Sequence, residues 1–370
     1  MDRRGFFKSM LGKGLSHGAR QVDAVVIPFE RAAKAARDAM PDDPAPDPVP
    51  DLADVPEADA EQAARDDVMR RPQPGRSVAT PVASEDLMRL AADAGLIRHV
   101  EAVCALSRRA VRLVPADPAE VAGRSRLGGA PDLPMSAVWP NWDAAPLTFV
   151  GQIDLAEAAA AGIDEALPPD GLLLIFSALE QTPSGSSPMD RESSRVLYVE
   201  EERIPPVTPD PIGAGRPEAA RAVEITSELT IPRVWTAPVQ ALGLDDAEQG
   251  AWEQVRRELA ELQGVTLWDD GAELHASHRL LGYPEETRGD MQLACELAAR
   301  GIDVGYGAPS AHPDARGLDG VAQRWRLLLQ LTIDDDAGWR FGRGRERLWL
   351  WGPEDELADG VMAHVRGIAR

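Results

Sequence analysis

From Ser84 onwards the chain alternates short apolar periods with turn residues, in a rhythm that mixes helix and strand. Leu87, Leu90, Ala91 and Ala94 recur at helical spacing behind Ser84, a residue type that caps helices, and Gly95 stops them. Ile97, Val100, Val103, Cys104 and Leu106 predict a second helix with these residues on its inner side. Val111, Leu113 and Val114 predict a short strand. The largely apolar stretch Leu147–Ile153 and the uninterrupted apolar run Leu172–Phe176 read as buried strands, and Val196–Glu200 and Val223–Ile225 as further ones. Asp245 to Gln263 is a longer helix with Trp252, Val255, Leu259 and Leu262 on one face. Glu253 and Arg257 are spaced to pair on its wet side.

One stretch organises this pattern. Ser125–Leu155 carries a Gly128-Gly129 turn, a loop stiffened by Pro131, Pro134 and Pro140 with Trp139 and Trp142 on it, and a strand that ends at Gln152. A weaker version recurs: Leu280-Leu281-Gly282-Tyr283-Pro284 echoes Leu127–Pro131, and Trp325–Leu331, with Gln330, echoes the strand at Gln152. An apolar strand closes each unit, Leu172–Phe176 and Leu348–Trp351. The expectation is an α+β fold of antiparallel sheets with packed helices and an internally duplicated core. Half 1 spans about 84–240 and half 2 about 241–370.

The region before Ser84 follows another logic. Residues 1–37 hold eight Arg/Lys against three Asp/Glu. Leu11, Leu15, Gly18, Val22, Val25, Phe29, Ala32 and Ala36 fall on one helical stripe, so this arm is a candidate to dock on a partner or an anionic membrane surface. A tail packed on its own domain is the alternative. Arg3 and Arg4 followed by Phe6 and Phe7 resemble a twin-arginine export motif, but Lys13, His17, Arg20 and Asp23 interrupt the apolar segment that export requires. Residues 38–83 form an acidic, Pro-rich linker expected to be extended.

Charge and cysteine count narrow the function. A net charge of −22 leaves no broad basic face for a nucleic-acid backbone. Two distant cysteines, Cys104 and Cys295, make no disulfide framework, which favours a cytoplasmic chain, membrane-associated if the arm docks there. The chemistry-bearing residues allow several roles. Gln152 and Gln330 either face one another across a cleft between the halves, binding a ligand with Trp139 nearby, or satisfy groups inside the protein. His278, with His275 three residues before it, either contributes to a metal site or makes a structural hydrogen bond. Asp334, Asp335 and Asp336 follow a strand as acid/base carboxylates, cation ligands or a solvated turn. His312 sits in a Gly/Pro-rich loop, at a cleft mouth or simply at the surface. No serine elbow, phosphate-cradling glycine loop, zinc-finger spacing or HExxH helix is present, and no metal or cofactor is assigned.

Taken together, SRLGGAPDLP, the Trp139-Pro140 pair, PLTFVGQIDL, LPPDGLLLIF, HRLLGYP and LLLQLTIDDD resemble the YwqG-like family, a bacterial domain of unknown function (DUF1963), over residues 84 to 362. The resemblance implies an α+β fold with antiparallel sheets and a duplicated core, and it brings no established reaction. It makes a protein-binding accessory role plausible by analogy. Phe341-Gly342-Arg343-Gly344-Arg345 stands where relatives usually carry a Gly-Asp-x-Gly turn. The leading expectation is a non-enzymatic accessory protein that recognises a protein or small polar ligand between its halves. The alternative is a metal-dependent or acid/base hydrolase using Asp334–Asp336 with His278 or His312.

Overall fold

Among the described residues ten strands pair into one sheet, and every pairing in it is antiparallel. The computed structural model describes residues 82–370 except 117–122, 164–165, 180, 182, 205–219, 266, 268–277, 287–289, 306 and 333–346. The strands are β1 (Arg108–Ala116), β2 (Arg126–Leu127), β5 (Thr148–Asp154), β6 (Leu172–Ser177), β7 (Ser194–Val199), β8 (Arg221–Thr230), β9 (His278–Leu281), β10 (Trp325–Thr332), β11 (Arg347–Pro353) and β12 (Arg366–Ala369). Asn141–Trp142 (β3) and Ala145–Pro146 (β4) make a separate hairpin. The helices longer than one turn are α1 (Ser84–Asp93), α2 (Val100–Ala105), α3 (Leu155–Ala160), α4 (Asp246–Leu262), α5 (Met291–Ala299) and α6 (Glu354–Ala358). The mixture is the α+β architecture expected from the alternating periods.

β1 and β8 form the long central pair, Arg108 opposite Thr230 through Ala116 opposite Ala222. Outward from β8 run β2, β5, β6 and β7; outward from β1 run β9, β10, β11 and β12. Successive strand residues point to opposite faces. On one face Val150, Ile153, Leu173 and Ile175 share a core with Leu329, Leu331, Leu348 and Leu350 from the other side of the sheet. On the opposite face each flank has its own cover. The 131–147 loop lies over Phe149, Leu174 and Phe176, and α5 lies over Trp325, Leu327, Trp349 and Trp351. α1, α2 and α4 build a third cluster around Trp252 and Leu96.

Local chemistry explains the boundaries. α4 starts with a capping box, Asp245 accepting from the Glu248 N–H at 2.9 Å and Glu248 accepting from the Asp245 N–H at 3.1 Å. Asp154 caps α3 by accepting the Ala156 N–H at 2.9 Å. Three expectations need correction. Ile97 is exposed rather than inward, because the residues before α2 form a 3₁₀ turn that rotates it out. Leu262, in the last turn of α4, is also exposed. Glu253 pairs not with Arg257 but with Arg256, at 2.8 Å, and with Arg233 at 3.4 Å, since Arg256 lies on the buried face.

Candidate functional site

The two Gly-turn stretches build the same local structure. Arg126 pairs with Gln152 across β2 and β5, and Arg279 pairs with Gln330 across β9 and β10. After each arginine the chain turns through two residues of positive φ, Gly128 (68°) and Gly129 (72°) in one, Leu281 (59°) and Gly282 (73°) in the other. Glycine is needed at the second position for space as well as φ. A Cβ on Gly129 would sit 2.7 Å from Ala220 Cβ, and one on Gly282 would sit 2.7 Å from Ala110 Cβ. The turn then delivers an acid whose backbone N–H donates to the glutamine Oε1, Asp132 to Gln152 at 3.0 Å and Glu285 to Gln330 at 2.8 Å. The acid side chain returns to the arginine: Asp132 accepts from Arg126 at 2.8 Å and Glu285 from Arg279 at 3.0 Å. One residue before each arginine, Ser125 Oγ accepts the Asp154 N–H at 2.9 Å and His278 Nδ1 accepts the Thr332 N–H at 3.4 Å. The bulges match too, between Phe149 and Gly151 in β5 and between Leu327 and Leu329 in β10.

This geometry decides where the candidate residues stand. Gln152 and Gln330 are fully buried. Strand alternation sends their neighbours Ile153 and Leu331 into the shared core, so both amides point to the face opposite that core. They hold turns within their own flanks and do not line a cleft between the halves. His278 is sealed within β9 and has no exposure through which to reach a substrate. Trp139 lies on the covering loop, half-buried, its Nε1–H donating to Leu147 O at 2.9 Å and its ring edge-on to Phe176 at 5.2 Å. His312 caps a 3₁₀ turn in a surface loop, its Nδ1 accepting the Asp314 N–H. Asp334 and Asp336 lie outside the described residues, as do Arg3, Arg4, Phe6, Phe7, Leu11 and Leu15 of the arm. Among the described residues no cluster of three or more His, Cys, Asp or Glu has the geometry to hold a metal ion, and no helix is long and apolar enough to cross a membrane.

The second module is elaborated by a buried charge network that sequence spacing did not reveal. Arg279 donates through Nε to Glu228 at 3.1 Å and through Nη1 to Tyr283 O at 3.1 Å, besides its bond to Glu285. Arg347 reaches the other Glu285 oxygen at 3.2 Å. All four side chains are at least nine-tenths buried. Burial pushes the Glu285 carboxyl up, but Arg279 and Arg347 beside it outweigh that and hold it below the usual carboxylate range. Burial likewise opposes the Arg279 charge, and Glu228 and Glu285 more than restore it. A cavity of about 30 Å³ with mixed polar and apolar walls lies between this network and α4, with Arg256, Gln263 and Thr230 among its lining residues. That is room for two or so waters rather than for a drug-sized ligand. Partners that come from β8, the β9 turn and β11 are separated by 51 and 62 positions in the chain, which is why no local motif announces them.

The first module is elaborated differently, by an apolar surface. The covering loop leaves Met135 96% and Val138 82% exposed, and Met189 on the neighbouring 3₁₀ turn is 82% exposed. Trp142 ties the two segments together, its Nε1–H donating to Met189 O at 3.4 Å. The hairpin that presents Trp142 turns through Asp143 (φ 48°) and Ala144 (φ 60°). Two left-handed non-glycine residues in succession form the tight turn that suits a two-residue hairpin, at a cost of roughly 1–2 kcal/mol each. Loop prolines and tryptophans were legible as a feature; the exposure of Met135 and Met189 depends on packing and was not.

The model of a domain of unknown function, DUF1963, matches residues 125–358, a span that holds both Arg-turn-Gln modules. No curated protein matches the chain.

Proposed function

The chain belongs to the DUF1963 family, and we propose that it is a non-enzymatic accessory protein that recognises a protein partner through the apolar loop over its first module. The observation that carries this is the exposure of Met135 and Val138 on the covering loop and of Met189 on the 3₁₀ turn that Trp142 ties to it. Methionine and tryptophan are the side chains that adapt to and anchor protein interfaces. The hairpin strain fits the same role, since a left-handed Ala144 is retained at a cost where a glycine would relieve it.

Among the described residues, Gln152, Gln330, His278 and His312 accept backbone N–H groups within the fold, which supports binding over catalysis. No observation among the described residues favours the hydrolase or metal reading. The two modules are read as copies of one unit that diverged, one toward a buried charge network and one toward an exposed apolar face. With a net charge of −22, the partner that fits is one with apolar anchors set in a basic surface. The basic arm, 1–37, would add a second contact, to that partner or to an anionic membrane, and free thiols at Cys104 and Cys295 suit the cytoplasm.

The test is affinity capture from the native host with the full chain, comparing wild type with the Met135→Ser, Met189→Ser double variant. A defined partner recovered by wild type, and reduced about tenfold or more by the variant at unchanged melting temperature, supports the reading. Equal recovery by both chains, or no specific partner for either, refutes it.

A further inference from the structure

The two ends of the sheet meet. The Ala369 N–H of β12 donates to Ser184 O at 3.3 Å, beside β7, and a Cβ on Gly185 would lie 1.9 Å from Gly367 O, so only glycine allows this approach. Arg366 opens β12 at this seam and is 8% exposed. Its Nη2 donates to Ala298 O, in the last turn of α5, at 3.2 Å. Among the described residues that is its one hydrogen bond, and no carboxylate pairs with it; Nε and Nη1 are without partners yet are not sealed from solvent.

This is unusual on physical grounds. Buried arginines are almost always paired, and among the described residues the one side-chain hydrogen bond here is to the end of a helix, worth about half a charge. Acids are abundant in this chain, 61 Asp and Glu against 39 Lys and Arg, so a missing counter-charge is not a matter of supply. A second guanidinium sits close by. Arg191 lies on the 3₁₀ turn Pro188–Glu192 that packs on β12, it is exposed, and among the described residues it too has no ion pair. Burial depresses the Arg366 pKa and the charge of Arg191 depresses it further, while Cys295 and Asp190 work the other way. Asp190 accepts the Gly185 N–H at 3.0 Å, which ties that carboxylate to the seam backbone.

We propose that Arg366 and Arg191 form a subsite for a small oxyanion, a phosphate or carboxylate group, at the seam between the two ends of the sheet. The buried Arg366 supplies Nε–H and Nη1–H donors, and Arg191 supplies a mobile second charge from the rim. Charge-assisted bonds from two guanidiniums to one oxyanion are shorter and stronger than neutral ones. The subsite is independent of the apolar loop, although the same 3₁₀ turn carries Met189 and Arg191.

The test is thermal unfolding of the full chain against inorganic phosphate and, in a separate arm, sodium acetate, with sodium chloride holding ionic strength constant. A saturable rise in melting temperature with either ion, absent with chloride, is expected, and the arm that saturates lower identifies the oxyanion class. Arg366→Met should abolish the rise while leaving the ion-free chain at least as stable as wild type, because an uncompensated buried charge has been removed. Arg191→Ala should weaken the apparent affinity about tenfold without changing the ion-free melting temperature. No saturable rise in either arm, or a rise that persists in Arg366→Met, overturns the proposal. A loss of ion-free stability in Arg366→Met without any oxyanion effect on wild type also overturns it, by reducing Arg366 to a helix cap.

Discussion

Replacing Gln330 by methionine tests the Arg-turn-Gln module at its pivot. The change conserves length and approximate volume but removes an acceptor for two buried donors, the Glu285 N–H at 2.8 Å and the Trp349 Nε1–H at 2.9 Å. A buried donor left without a partner costs about 1–3 kcal/mol, so the pair should cost about 2–5 kcal/mol, less whatever the more apolar side chain returns. The matched change, Gln152→Met, strands the Asp132 N–H and removes donors to Arg124 O at 2.9 Å and to Asp132 Oδ2 at 2.7 Å. Asp132 keeps Arg126, so the expected loss is similar or somewhat smaller, about 2–4 kcal/mol. Against a total stability on the order of 5–15 kcal/mol, either loss is large. Urea unfolding followed by tryptophan fluorescence reads it as a lower midpoint at unchanged slope. Amide exchange should also speed up locally, at Asp132 in one variant and at Glu285 in the other. A midpoint within about 0.5 kcal/mol of wild type for both variants would refute the view that these glutamines pin the turns.

Further outcomes follow from the charge network and the core. Arg279→Met strips Glu228 and Glu285 of their shared cation and should cost about 3–5 kcal/mol by urea unfolding; a neutral effect would mean the network is solvated. A carboxyl whose folded pKa lies below its unfolded value contributes stability above that unfolded value and loses it as pH falls through the folded one. Against the upward push of burial, Glu285 and Glu253 are held low chiefly by neighbouring arginines, and Glu296 by the Trp325 Nε1–H and then by Arg300 and Arg324. The carboxylate contribution should therefore be complete above about pH 5 and decline below about 4.3, which denaturation at a series of pH values checks. Cys295 is fully buried and its thiol is pushed far up by burial, so it should resist a thiol reagent in the native chain and react fully once unfolded. Rapid native labelling of both thiols would contradict that packing.

Sequence patterning carried the strands and the best-capped helix well. β5, β6, β10 and β11 are apolar runs buried on both faces, and Asp245 with Glu248 is a local signature, so both kinds of element are written within a few residues. The echo between Leu127–Pro131 and Leu280–Pro284 located the two modules, because a turn of two positive-φ residues constrains its own composition. What the glutamines do was not legible in the same way. Period-2 alternation fixes that Gln152 and Ile153 point oppositely, but which face is the shared core depends on how the flanks pack. α5 escaped notice because Met291–Ala299 is apolar on nearly every side, with no amphipathic stripe to mark it. The partners of Arg279 are 51 residues away on β8 and six away across a turn, so only the folded register joins them.

The most direct measurement is photo-crosslinking in the native host, with a crosslinking residue placed in the full chain at Met135, at Met189 and, as a control, at Leu262, an exposed apolar position on α4. The proposed function predicts one defined protein adduct shared by the Met135 and Met189 positions and absent at Leu262. The same adducts at all three positions, or none at the loop, would contradict it.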